Sequence, residues 1–399
     1  EVSIIPQRWG NTPENFIEQN KKEWGFLQKH IISNLQSKPD IWCMITVPNE
    51  FQPVGKYNIG LTAGIETTAC DIEWIRGCNR MDLILTSSEH SKQTFLLSKY
   101  QNSGNEKDVV KLEKPIEVLF EGGNLDVYKT IKKFENKELY DSINSISEDF
   151  AYLVVGHWMQ GNYGHDRKNI AFTVKSFYET FKNKENPPAL ILKTCRVNSS
   201  VGDKEGMQKR IDKLRDSVEA KKLPSVYLLH GDFTDNEMNE IYNHPKVKSM
   251  ISFTKGEGFG RPLLEFSLIN KPIIASGWSG HLDFLHKDHV ALCGGKLIDL
   301  DKSVQIKGML IEGAKWFDVD HNYVNHFYND VFNNYNLWLD KAKKQGKHVK
   351  KNFSFDKMTE KISEIFSKNL KELPKKMELK LPGMDKIKMP KKNKLKIVK

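Results

Sequence analysis

The chain has 399 residues, of which 39% are hydrophobic and 10% aromatic, enough for two globular domains with separate cores. It contains no apolar run of about 18 residues and no basic-then-apolar leader, so the sequence predicts neither a transmembrane helix nor a signal peptide. Five cysteines without a Cys-x-x-Cys pair argue against a disulfide framework or a zinc knuckle, and they predict free thiols in the cytoplasm. The first residue is not Met, which indicates a trimmed or incomplete start.

The net charge of +10 is concentrated at one end of the chain. Residues 373–399 hold ten lysines against Glu378 and Asp385, a charge of +8, which leaves +2 for the rest of the chain. A Lys-rich tail is most often a solvated appendage; the alternative is that it binds nucleic acid or an anionic surface. The abundance of Lys, Asn and Ile is typical of AT-rich genomes and suggests a viral protein in a host cytoplasm.

In the first part of the chain, short apolar runs alternate with amphipathic stretches. The periodicity predicts a helix over 14–36, and Ser88 is a candidate N-cap for a later helix. Further elements are strands at 40–48, 58–63, 83–86 and 116–120, and a helix at 72–80. Because strands alternate with helices, we expect a parallel sheet and an N-terminal domain over 1–130, followed by a charged linker at 131–149.

The same alternation continues through the second part and predicts a second parallel-sheet domain over 150–350. Thr234 and Glu237 form a capping box at the start of one of its helices. The strands are predicted at 150–156, 189–194, 226–231, 249–253 and 271–275, and the helices at 169–183, 204–214, 234–243 and 262–269. A last helix is predicted at 351–372. In such sheets, ligands bind beyond the carboxyl ends of the strands.

A glycine-rich stretch joins one of these strands to the following helix and reads GEGFGRPLLE over Gly256–Glu265. Pro262 suits the first turn of a helix, so the glycines stand where a strand passes into a helix. A helix N-terminus attracts phosphate, and Gly258 and Gly260 let the backbone approach a ligand. The alternative is an ordinary strand–helix turn with a solvated glutamate, because such loops are common.

Two glutamates separated by seven residues, with Gly-Phe-Gly-x-Pro between them, resemble the signature of the retaining glycosyltransferases of family 4, the glycosyl transferases of group 1. The following run and turn, 273–285, is also similar to that family. The resemblance covers the C-terminal half well and the N-terminal half loosely. It implies an α/β GT-B fold, with two Rossmann-like parallel-sheet domains facing across a cleft and a last helix that returns to the N-terminal domain. It also implies sugar transfer from a nucleotide diphosphate sugar to an acceptor hydroxyl.

The resemblance assigns the donor contacts of the signature itself. Glu265 is expected to bind the ribose hydroxyls and Glu257 the hydroxyls of the donor sugar. The backbone near Gly258, Phe259 and Gly260 is expected to contact the sugar or the distal phosphate.

Other donor contacts are expected where neighbouring strands end. The resemblance implies a phosphate-binding lysine, assigned to Lys168 with Arg167 as helper; cations at a helix N-terminus oppose its dipole and so need a reason. Gly156 and Gly231 end two strands, and the loop after Gly231 is expected to contact the base. His157 follows Gly156 where the family often has an arginine, which leaves the phosphate clamp incompletely assigned. No Asp-x-Asp metal site is evident, so we predict no metal and no cofactor.

The N-terminal domain is expected to hold the acceptor, whether glycan, lipid, protein or DNA. Thr62 and Glu66 follow a predicted strand, and His90 belongs to the next strand-end cluster. Glu66 is the candidate for positioning the acceptor hydroxyl or taking its proton, and a surface or capping role is the alternative. A lone histidine is more often structural than catalytic, and for His281 the alternative is that it faces the cleft.

Three functions are therefore weighed. The first is a metal-independent retaining glycosyltransferase, with sugar transfer to hydroxymethylated bases of viral DNA as a narrower variant. The second is a non-catalytic sugar-nucleotide-binding protein of the same fold, and the third is another GT-B activity such as a phosphorylase or an epimerase.

Overall fold

The computed structural model describes residues 2–7, 16–19, 21–101, 109–159, 163–196 and 199–370. The whole predicted tail, 373–399, and with it the proposed nucleic-acid contact, lies outside these ranges. No helix within them is long and apolar enough to cross a membrane.

The first half of the chain builds a parallel sheet. Its elements in chain order are α1 (Phe16–Gln19), α2 (Lys21–Trp24), β1 (Ile41–Ile45), β2 (Tyr57–Thr62), α3 (Ile72–Asn79), β3 (Leu83–Thr86), α4 (Glu89–Leu97), β4 (Tyr100–Gln101), β5 (Val109–Val110) and β6 (Ile116–Val118). The sheet order is β1-β2-β3-β6, with every pair parallel, and β4 and β5 form a small antiparallel pair. Ser88 caps α4 as predicted, because its Oγ accepts from the Ser91 N–H.

The second half builds a larger parallel sheet. Its elements are α5 (Lys137–Asn144), β7 (Ala151–Val155), α6 (Ile170–Phe181), β8 (Ala189–Lys193), α7 (Val201–Asp216), β9 (Val226–Leu229), α8 (Asp235–Asn243), β10 (Val247–Ser252), α9 (Arg261–Ser267), β11 (Ile273–Ser276), β12 (Ala291–Cys293), β13 (Gly295–Asp299), β14 (Lys315–Val319), α10 (His321–Asn333), α11 (Tyr335–Asn352) and α12 (Phe355–Asn369). The sheet order is β12-β11-β10-β7-β8-β9, and β13 and β14 form an antiparallel hairpin.

The central strands β7 and β8 of the second sheet are buried on both faces, as their near-continuous apolar sequences predict. Leu153 lies in one core and Tyr152 in the other, because successive side chains of β7 point to opposite faces. The predicted capping box at the start of α8 is present, with the Thr234 and Glu237 side chains each accepting from the other's backbone N–H.

Two expectations differ from the structure. The helix predicted at 14–36 is limited to α1, α2 and a 3-10 turn ending at His30, since Ile31 is extended. The stretch predicted as a linker, 131–149, contains α5 and contributes Leu139 to the core of the second sheet. Its few apolar residues recur at helical spacing, so they form a buried face despite the high charge.

The chain passes between the two sheets at two neighbouring points. Gly123 donates to the Phe353 carbonyl at 2.7 Å, and Phe355 donates to the Gly123 carbonyl at 3.2 Å. Beyond this point α12 packs on the first sheet, where Ile365 joins the core residues Ile59, Leu83 and Leu85. The last described helix therefore belongs to the N-terminal body of the molecule.

Candidate active site

The second sheet has a switch point between β7 and β10. The chain runs outward from β7 through β8 to β9, and then returns to the other side of β7 as β10. Loops that follow two such strands diverge and leave a crevice at the carboxyl edge of the sheet, where open α/β sheets bind ligands. The predicted phosphate residues 167–168 and the glycine-rich stretch are the loops at this crevice.

Lys168 and Arg167 both contact Glu257. The Lys168 Nζ lies 2.6 Å from Glu257 Oε1, and the Arg167 Nη1 lies 3.4 Å from Oε2. Arg167 also donates to the Gly256 carbonyl at 2.8 Å. The side chain of Lys168 runs past Gly156, with its Cδ 3.5 Å from where a Cβ would be. The structure thus brings Lys168 and Arg167 together with Glu257 and Gly156, which the sequence assigned separately.

The charges of this cluster are strongly coupled. Glu257 is almost completely buried, and burial by itself raises its pKa, but Lys168 and Arg167 outweigh this effect and lower the pKa to about 2. The carboxylate is therefore ionised at neutral pH. The Glu257 carboxylate contacts Lys168 and Arg167 at once, and it thereby keeps the two cations close together at the crevice.

Glu265 lies in the first turns of α9, also at the crevice. Its Oε1 accepts from Arg261 Nε at 3.1 Å, and its Oε2 accepts from the Tyr242 hydroxyl at 3.2 Å. Burial raises its pKa to about 7, although the Arg261 guanidinium opposes that shift. A carboxyl group that is costly to ionise and only partly hydrogen-bonded can accept further hydrogen bonds from a ligand.

The glycines of the signature are required by contacts within the protein. A Cβ on Gly256 would lie 2.1 Å from the Glu66 carbonyl oxygen, and one on Gly258 would lie 2.9 Å from the Ala63 carbonyl oxygen. Gly260 has a φ of 96°, which glycine adopts without strain. At Gly258, where we expected a close approach to a ligand, the neighbour is the loop after β2 of the other sheet, and the same loop also lies against Gly256.

The Gly256→Ala variant tests this packing. We expect it to lower the free energy of unfolding by about 1–3 kcal/mol, because a methyl group forced against backbone must displace one of the two loops. Gly206→Ala is the matched control: its Cβ would enter open space within α7, and alanine is better than glycine in a helix by about 1 kcal/mol. Denaturant titration of both variants measures the difference. Equal stability of Gly256→Ala and the native protein would contradict the packing.

The predicted acceptor-side residues have three different environments. Glu66 reaches across the cleft, and its Oε1 lies 3.3 Å from Arg167 Nη1. Thr62 is buried, and its Oγ1 accepts from the Gly64 N–H at 3.4 Å. His90 packs edge-on against Trp278 at 4.6 Å, and burial lowers its pKa to about 4. Glu66 is thus the member of this group that joins the cationic cluster.

The ends of β7 and β9 carry the remaining predicted donor residues. His157 is exposed, and its Nδ1 lies 3.3 Å from the Cys195 Sγ, just beyond β8. Gly231 follows β9 with a φ of 155°. His281 is completely buried, and its Nε2 lies 2.6 Å from the Ser276 carbonyl oxygen, which favours the structural interpretation of this residue.

Sequence reasoning missed two contacts that shape the site. Ser279 accepts from the Glu257 N–H at 2.9 Å and fixes the signature loop. Asp283 accepts from the Glu89 N–H at 2.8 Å, across the cleft at the start of α4. Neither residue carries a sequence signal of its own. The turn after β11 was noted, but its contacts depend on how the two sheets face each other.

No family model matches the sequence, and the comparison with curated proteins gives no match. Solved structures are similar at low identity. A glycosyltransferase from Rickettsia africae is 14% identical with a TM-score of 0.58, covering 92% of this chain and 84% of that one. HepE from Anabaena, solved with UDP-glucose, is 14% identical with a TM-score of 0.52, covering 78% and 72%. Sucrose-phosphate synthase from Thermosynechococcus elongatus is 9% identical with a TM-score of 0.53, covering 90% and 80%. Together with the two parallel sheets, these similarities show that the chain has an α/β GT-B fold with two Rossmann-like domains facing across a cleft.

Proposed function

We propose that the chain is a retaining, metal-independent glycosyltransferase that moves a sugar from a nucleotide diphosphate sugar to an acceptor hydroxyl. The observation that carries the proposal is the cluster of Lys168, Arg167 and Glu257 at the switch point, with Glu265 nearby. HepE, which shares the fold, was solved with a nucleotide sugar of this class. The roles below follow from the chemistry of these side chains.

Donor cleavage leaves a diphosphate that carries additional negative charge. Lys168 and Arg167 can neutralise that charge from fixed positions in a partly buried site, which is the role that a metal ion has in other transferases. Glu257 keeps the two cations in place and presents carboxylate oxygens to the hydroxyls of the donor sugar. Glu265 is suited to the ribose hydroxyls, because a buried carboxyl group gains from donors that reach it.

Retention requires attack on the face from which the diphosphate departs. The bond between the anomeric carbon and the phosphate oxygen breaks, the acceptor oxygen bonds to that carbon, and the acceptor proton passes to the leaving phosphate. Glu257 is paired with two cations, which weakens it as a nucleophile and favours this route over a covalent glycosyl-enzyme. Glu66, which also contacts Arg167, is the group proposed to orient the acceptor hydroxyl.

A thermal-shift panel of UDP, GDP, ADP and CMP sugars tests the donor assignment. We expect one donor to raise Tm in a concentration-dependent way, because a ligand that binds only the folded state stabilises it. Incubation of that donor with glycans, lipids, proteins and hydroxymethylated DNA, with EDTA present, then identifies the acceptor. NMR of the product reports the anomeric configuration. A flat response to every donor would favour a non-catalytic protein, and a need for free phosphate would favour a phosphorylase.

A further inference from the structure

His157 and Cys195 form a pair at the carboxyl edge of the second sheet. Trp158 donates to the Cys195 carbonyl at 2.9 Å, and Gly156 donates to the Lys193 carbonyl at 3.2 Å, so β7 and β8 remain in register up to this pair. The thiol is almost completely buried, whereas the imidazole is exposed. The 3.3 Å contact between Cys195 Sγ and His157 Nδ1 therefore fixes the exposed ring from below.

This contact determines which ring nitrogen is available to a ligand. Because Cys195 Sγ faces Nδ1, the other ring nitrogen, Nε2, is directed away from Cys195. When the thiol donates to Nδ1 the neutral ring carries its proton on Nε2, and the charged imidazolium carries protons on both nitrogens. Burial raises the pKa of the Cys195 thiol, so the thiol stays neutral and does not cancel a charge on the ring.

The imidazole lies among the cations of the proposed phosphate site. The stem of Lys168 passes over Gly156, the residue directly before His157. Burial lowers the pKa of His157, and the charges of Lys193, Lys168 and Arg167 lower it further, whereas Asp203 on α7 opposes the shift. In the free protein the ring is therefore neutral at pH 7, and an anion bound at this place would favour its charged form.

We propose that His157, positioned by Cys195, donates from Nε2 to the diphosphate of the bound nucleotide sugar and makes donor affinity depend on pH. The proposal rests on the proposed function, since it assigns one contact and one regulatory property to that donor site. His157 is the ligand-contacting residue, and Cys195 is a positioning residue.

The direction of the pH dependence follows from linkage. The bound diphosphate raises the pKa of the ring, so the complex takes up a proton that the free protein lacks near neutral pH. Donor affinity is then highest below the pKa of the His157 ring in the free protein, which is under 6.5. It falls as pH rises through the pKa of the same ring in the complex. A shift of one pKa unit corresponds to a tenfold change in the dissociation constant.

The test is a set of dissociation constants from about pH 5.5 to about pH 8.5, the range in which histidine titrates. The probes are UDP-glucose, ADP-glucose and GDP-mannose, because their phosphodiester groups do not titrate in that range. We expect Kd of the native protein to rise about tenfold over it. His157→Gln should bind the donor weakly and lose the pH dependence of Kd that the imidazole contributes. His157→Arg should bind the donor tightly and lose that pH dependence too. The difference between the native protein and His157→Gln isolates the imidazole from Glu265, which also titrates near pH 7.

Cys195 is tested by substitutions that differ in hydrogen bonding. Cys195→Ser retains a donor for Nδ1 and should preserve the pH profile, whereas Cys195→Val should weaken binding severalfold and flatten the profile. If His157→Gln and His157→Arg both keep the native profile, the proposal is wrong although the donor site stands. If none of the three donors binds the native protein at any pH, the proposed function fails together with it.

Discussion

Replacing Lys168 by alanine is expected to lower turnover by two to three orders of magnitude. Removing one preorganised group that stabilises developing charge costs about 10²–10³-fold in comparable sites. In this protein the Lys168 Nζ lies 2.6 Å from Glu257, at the place proposed for the departing diphosphate. Initial rates of sugar release or transfer with the donor found by thermal shift provide the measurement. Lys182→Ala is the control, because Lys182 caps the far end of α6, the helix that Lys168 precedes, and its Nζ pairs with the exposed Glu179.

A second variant separates catalysis from folding. Loss of Lys168 alone leaves Glu257 a buried carboxylate with one partner fewer, and breaking a buried ion pair can cost about 3–5 kcal/mol. The double variant Lys168→Met, Glu257→Gln removes both charges and should recover most of the lost stability, yet remain inactive. Turnover close to that of the native protein in Lys168→Ala, with Lys182→Ala also unaffected, would refute the role of Lys168.

Glu265→Gln is expected to make the protein more stable and a poorer binder of the donor. The free carboxyl group has a pKa of about 7 in the folded chain, against 4.5 as its ordinary value. The folded state therefore holds a proton that the unfolded state releases, and the free energy of unfolding falls as pH rises from about 4.5 to about 7. An amide does not ionise, so the variant should gain up to about 3 kcal/mol at pH 8 and nothing below pH 4.

Donor affinity should change in the opposite direction. A hydrogen bond to a charged group contributes about 1.5–3 kcal/mol, so replacing the carboxylate at the ribose position should raise Kd about 10- to 100-fold. Denaturant titration at pH 4 and pH 8, together with donor titration at pH 8, measures both effects. A variant that gains stability and also keeps native affinity would show that Glu265 is a structural residue.

The positions of the site residues along the chain were predictable, but their mutual contacts were not. Short apolar runs separated by amphipathic stretches predicted the strands of the second sheet, and polar residues at their ends predicted the crevice. Lys168 and Glu257 are far apart in sequence, and their 2.6 Å contact depends on β10 returning beside β7. That strand order is a long-range property, which local periodicity does not contain.

The errors have equally specific causes. The stretch 131–149 was predicted as a linker from its charge, but Leu139 and Ile143 are four residues apart and share one buried helix face. The glycines at 258 and 260 were ascribed to ligand approach, whereas the space at Gly258 is filled by the loop that contains Ala63 and Glu66. A glycine in a sequence signals that something comes close, but it does not identify the neighbour.

The two passages of the chain between the sheets lie side by side, joined by the hydrogen bonds of Gly123 with Phe353 and Phe355. A connection of this kind is a hinge, because both segments must bend at the same place when the domains separate. We therefore expect the distances across the cleft, such as that between Glu89 and Asp283, to change together when the domains separate. One pair of spectroscopic labels would therefore report the entire opening movement.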